Sequence, residues 1–76
     1  MAYMGKREWL SRIRTNKGYS QALTAAMSDI SLPTYSQIEL GYRNPSEKMM
    51  ASIAATLGFT YEDFVREEKA AGRKFL

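Results

Sequence analysis

An all-α fold of five short helices is predicted by three observations. Apolar residues recur three and four positions apart through much of the chain, most regularly at Met50, Ile53, Ala54 and Leu57. Hydroxyl residues stand just ahead of such stretches, at Ser20, Ser31, Ser46 and Thr60, where a side chain can accept from amides that lack an intrahelical partner. Glycines follow them, at Gly18, Gly41 and Gly58, where a left-handed conformation ends a helix without a Cβ penalty.

Met1 to Gly5 carries no periodic signal and reads as a flexible N-terminus, residues 1–5, although Tyr3 and Met4 could fold back on the core. From Lys6 to Asn16, Trp9 or Leu10 and then Ile13 recur at helical spacing. The other faces of this first helix carry Lys6, Arg7, Arg12, Arg14 and Lys17, which form either a solvated surface or a set of phosphate contacts. Ser20 caps a second helix over roughly Gln21 to Ser28, in which periodicity alone favours Leu23, Met27 and Ile30 as the buried stripe. A tight corner follows near Ser28, Asp29 and Ile30.

Ser31 caps a third helix from Leu32, and Pro33 is tolerated in its first turn because an amide there has no intrahelical acceptor. Tyr35 and Ile38 share its buried face; Pro33, Ser36, Gln37 and Leu40 point elsewhere, and Gly41 closes it. Tyr42-Arg43-Asn44-Pro45 is turn chemistry, after which Ser46 caps the fourth helix and Gly58 ends it. Thr60 with Asp63 makes a capping box for a fifth helix holding Tyr61, Phe64 and Val65 at helical spacing. Beyond Glu67 the core candidates are few: Glu68 and Lys69 are polar, Gly72 breaks the helix, and Arg73-Lys74 precede Phe75 and Leu76, which either pack on a partner or fray.

With 76 residues there is room for one domain with a small core. The absence of cysteine and histidine removes disulfides, the usual zinc ligands and the commonest general base, so no metal, cofactor or redox chemistry is expected. No spacing suits paired catalytic acids, an activated nucleophile or a phosphate-cradling glycine loop, and no enzyme is expected. No apolar run reaches the ~20 residues of a membrane span and no leader is visible, so the expected location is cytoplasmic, without membrane or small-molecule partner. The net charge of +3 gives a moderate positive field that would favour a polyanion.

Ser20-Gln21, Ala25, Ile30-Ser31, Ile38-Glu39, Gly41 and Arg43-Asn44-Pro45-Ser46 together resemble the Cro/C1-type helix-turn-helix domain of phage repressors and small bacterial regulators. The resemblance runs without a gap from about Leu10 to about Val65, and its most specific segment is Ile38 to Ser46. It implies a compact, lambda-repressor-like DNA-binding domain over residues 6–68, with 69–76 as a tail. It also implies a different register for the second helix, burying Thr24, Ala25 and Ser28, and we follow that register because Ala25 and Ser28 are small enough for a close helix approach. Asp29 stands where the family usually has glycine; Asp tolerates left-handed geometry better than most side chains.

The partner that the resemblance implies is double-stranded DNA, with the second helix of the pair in the major groove and the first across the backbone. Leu32, Pro33, Thr34, Ser36 and Gln37 are then the base-facing residues, and Gln37 can bond adenine through two atoms. Gln21, Ser31, Tyr42, Arg43 and Asn44 are the phosphate-contacting ones. Arg14 and Glu39 are expected to form a partly buried ion pair. A symmetric homodimer is expected, with Phe59, Tyr61, Phe64, Phe75 and Leu76 as apolar candidates for its contact. The expected function is sequence-specific transcription regulation, as in a phage or mobile-element repressor. The alternative is a helical protein-interaction module on the same scaffold, in the manner of an antitoxin or a restriction-modification controller.

Overall fold

In a computed structural model that describes residues 5–72, the chain forms α1 (Glu8–Asn16), α2 (Gln21–Met27), α3 (Leu32–Leu40), α4 (Glu47–Leu57) and α5 (Tyr61–Ala70). There is no strand among the described residues. Tyr3, Met4, Phe75 and Leu76 lie outside them.

Four helices start where a hydroxyl does. Ser20, Ser31, Ser46 and Thr60 each accept from the backbone N–H three residues on, at 3.0–3.3 Å. Asp63 returns a bond to the Thr60 amide and completes the capping box. α1 is the exception, since it starts at Glu8 rather than Lys6 and has no side-chain cap. Arg7, just ahead of it, is outside helical geometry with φ of −80° and ψ of 77°, and its amide donates to the carbonyl oxygen of Glu39 at 2.8 Å.

The core is built from Trp9 and Leu10 of α1, Ala25 of α2, Tyr35 and Ile38 of α3, Met50, Ile53 and Leu57 of α4, and Phe64 of α5. Trp9 stands edge-on to Phe64, ring centroids 4.8 Å apart, and to Phe59 at 6.0 Å, so the start of α1 is packed against α5. α2 follows the register that buries Thr24, Ala25 and Ser28, while Leu23 and Met27 are 45% and 52% exposed. The buried hydroxyls are satisfied: Thr24 donates to the Ser20 carbonyl at 2.9 Å and Ser28 to Thr56 at 2.9 Å. The corner turns at Asp29, whose φ of 59° makes it the described non-glycine residue in left-handed geometry.

Three sequence expectations are corrected. Phe64 is fully buried and cannot serve a dimer contact; Phe59 is half-buried against the same cluster. Arg7 belongs to no solvated face, being 1% exposed. Glu68, expected to be polar surface, is also 1% exposed and lies one turn after Phe64 on the inner side of α5, where Val65 is only half-buried. The two charges meet, with Arg7 Nη2 3.0 Å from Glu68 Oε1, and the Trp9 indole N–H donates to Glu68 Oε2 at 2.8 Å.

Candidate nucleic-acid interface

Successive residues of α3 are about 100° apart around its axis, so Leu32, Pro33, Ser36, Gln37 and Leu40 fall on one outward strip and Tyr35, Ile38 and Glu39 on the opposite one. Burial follows this division. Tyr35, Ile38 and Glu39 are at most 1% exposed, whereas Leu32 is 44% and Leu40 40% exposed and Pro33 and Gln37 are open to solvent. Ser36 is half-buried at the edge of the strip. Thr34 is off it: it lines a cleft with the corner residues Ser28 to Ser31 and with Ser46, Lys48, Met49 and Ser52 around α4. The Ser31 hydroxyl, besides capping α3, donates to Thr34 Oγ1 at 2.8 Å. Thr34 thus sits beside the ridge rather than along its crest. Leu40, absent from the expected site, stands on the crest one turn beyond Gln37; its helical position alone reveals it.

The inner side of α3 is fixed by one carboxylate. Glu39 accepts from Arg14 Nε at 2.7 Å, Arg14 Nη2 at 2.9 Å, Gln21 Nε2 at 2.8 Å and the Tyr35 hydroxyl at 2.8 Å. Arg14 also donates to the Tyr19 carbonyl at 2.7 Å. Residues of α1, α2 and α3 therefore converge on a single buried group, which sets how the helix pair is angled. Burial alone would raise the Glu39 pKa, but the bonds from Arg14, Gln21 and Tyr35 outweigh it and hold the carboxyl below its ordinary value. Burial, followed by the bond to Glu39, pushes the Tyr35 phenol up, so it stays a donor. The side-chain N–H of Gln21 is thereby directed inward, and what Gln21 can offer a phosphate is its main-chain amide at the start of α2.

The far end of α3 closes on Gly41, with φ of 88°; its N–H bonds the Ile38 carbonyl and the Tyr42 N–H bonds the Gln37 carbonyl. A Cβ on Gly41 would lie 1.9 Å from the carbonyl oxygen of Gly5, so the N-terminal segment crosses there only because the side chain is missing. Past Gly41, Tyr42 is 55% exposed and Arg43 and Asn44 are exposed, at the flank of the ridge. Asn44 Oδ1 accepts from Arg7 Nη2 at 3.3 Å.

With Arg7 and Arg14 committed to buried or partly buried partners, the exposed cations from the start of the described chain to the loop after α3 are Lys6, Arg12, Lys17 and Arg43. The Lys17 ammonium lies over Gly58, at the end of α4 where the helix dipole favours a cation. No group of three or more acidic residues that could hold a metal ion is present among the described residues.

The family model described as Helix-turn-helix matches residues 10–64. The chain belongs to the Cro/C1-type helix-turn-helix family. It is similar, at 36% identity over 67 residues, to an uncharacterised HTH-type transcriptional regulator, YqaF, of Bacillus subtilis (strain 168). That match covers 83% of this chain and 88% of the relative. No solved structure gives a significant match. Membership of this helix-turn-helix family makes the protein a DNA-binding transcriptional regulator. No helix among the described residues is long and apolar enough to cross a membrane.

Proposed function

We propose that this helix-turn-helix regulator reads a specific duplex sequence by placing the N-terminal half of α3 in the major groove, acting as a symmetric homodimer in the cytoplasm and without enzymatic activity or cofactor. The observation that carries the reading is the two-sided build of α3. Its inner strip is bolted to α1 and α2 through Glu39, while Leu32, Pro33, Ser36 and Gln37 project together on the outer one. A helix of this diameter fits a groove about 12 Å wide.

Within that docking, Gln37 is the residue with the donor and acceptor needed to pair with adenine, and Leu32 and Pro33 offer apolar contact to a thymine methyl. Ser36 and Thr34 supply hydroxyls at the margins. Arg43, with Tyr42 and Asn44, meets the backbone on one flank; the Ser31 and Gln21 ends of α3 and α2 meet it on the other. An interaction module without DNA contact would have no use for exposed Gln37 and Arg43 on and just after α3. Gln21 does not weigh in that comparison, because its side chain has a structural task at Glu39.

Selection of bound sequences from random duplex DNA tests this reading. A consensus of two inverted half-sites is expected. A pool that enriches nothing would reject DNA recognition, and enrichment without a consensus, with a steep salt dependence, would reject sequence reading.

A further inference from the structure

We propose that Arg7 is a positioning residue for phosphate contact, holding the loop after α3 so that Arg43 is presented to the backbone. This rests on the DNA-binding reading above. Arg7 is itself closed off from solvent, at 1% exposure, yet its guanidinium gathers three separated parts of the chain. Nε donates to both carboxylate oxygens of Glu68 in α5, at 3.0 and 3.1 Å. Nη1 donates to the Ile38 carbonyl at 2.6 Å and to the Arg43 carbonyl at 3.1 Å. Nη2 donates to Asn44 Oδ1 at 3.3 Å, and the Arg7 amide donates to the Glu39 carbonyl at 2.8 Å.

The physical sense of this arrangement lies in what the loop lacks. Residues 42–45 form neither helix nor strand, and beyond the capping amides of Gly41 and Tyr42 the last carbonyls of α3 have no amide donors further along the helix. Arg7 supplies both needs from one buried group. It satisfies carbonyls at the end of α3 and anchors the main chain of Arg43 itself, while Glu68 balances its charge and the Trp9 indole holds Glu68 in place. The Arg43 side chain is left exposed at the end of a main chain pinned from below. A guanidinium does this because its five N–H groups fan out in one plane; the three donors of an ammonium radiate from a single atom and cannot span the same acceptors.

The test is a binding cycle on the duplex selected by the wild-type chain, using Arg7→Lys, Arg43→Ala and the double variant. The lone Trp9 and far-UV circular dichroism report folding at the binding temperature. Arg7→Lys is expected to lower affinity on all duplexes alike, leave the selected consensus unchanged, and reduce the slope of log affinity against log salt by about 1, as when one fewer phosphate is neutralised. In the Arg43→Ala background it should cost nothing further. Affinity decreases that multiply in the double variant, or an unchanged salt slope with affinity falling only as the folded fraction falls, would overturn the proposal and leave Arg7 a stabilising residue. If Arg7→Lys does not fold, Glu68→Gln, which keeps the shape and removes the charge that steadies the guanidinium, takes its place in the same cycle, and the same results support or overturn the proposal. A wild-type chain that selects no duplex at all would instead overturn the DNA reading on which the proposal stands.

Discussion

Glu39 is a hub because four hydrogen bonds, from donors on three helices, end on its one buried carboxylate. Removing one side of such a pair leaves the other charge in a poor solvent, at a cost of roughly 3–5 kcal/mol when burial is deep. Arg14→Ala and Glu39→Ala should each destabilise the fold, and the double variant should lose less than their sum when followed by urea denaturation; additive losses would mean the two act separately. The hub also gives stability a pH dependence of definite sign. A carboxyl held below its ordinary value in the folded chain stabilises the fold above the unfolded value, about 4.3. That contribution is lost as pH falls through the lower folded value. Thermal melts of the wild-type chain should therefore weaken steadily with acid below about pH 5, and Glu39→Gln should be less stable at neutral pH but show a shallower acid slope. On the open side, Gln37→Ala should relax preference at one base pair for roughly 1–3 kcal/mol, while Arg43→Ala should weaken all sequences alike. The opposite assignment in binding-site selection would mean that reader and anchor are exchanged.

At the scale of the helices, local chemistry was readable where it is local. Four caps, the capping box, the glycine stop at Gly41 and the stripe of α4 all depend on residues within one or two turns, and each is where the sequence puts it. The buried register of α2 was legible only through family resemblance. Its periodic apolar residues, Leu23 and Met27, are the exposed ones, and small or hydroxylated residues fill the inner face because the neighbouring helices come too close for larger side chains. Enlarging Ala25 to Leu should therefore cost on the order of 1–3 kcal/mol, whereas Met27→Lys should change stability by less than about 0.5 kcal/mol. Equal losses from both would return the helix to the periodic register. Gly41→Ala should destabilise by more than about 1 kcal/mol, through both the left-handed backbone and the Gly5 carbonyl it would meet. The Arg7–Glu68 pair could not be read from spacing, since its members are separated by 61 positions. Phe64, one turn before Glu68, puts that carboxylate on the inner side of α5, but Arg7 stands ahead of α1, where no helical period marks it as buried.

Taken whole, the described chain measures 27 × 23 × 21 Å, short of the ~34 Å that separates successive major-groove faces along one side of a duplex. On the proposed dimeric reading one copy spans one half-site, and sedimentation of the complex should find two protomers on the selected duplex with half-site centres about one helical turn apart. A single protomer on an undivided site would exclude the symmetric dimer. Both polar hubs grip α3 in its second half, one through the Glu39 side chain and one at the Ile38 and Glu39 carbonyls, and this leaves its first half as a rigid projection. The direct test of that arrangement is an amide and side-chain NMR titration of the protein with its selected duplex. Shifts concentrated at Leu32 to Gln37, with a second set at Tyr42 to Asn44 and none along the outer face of α5, are the expected result. Shifts centred on α4 and α5, with the ridge of α3 unmoved, would contradict it.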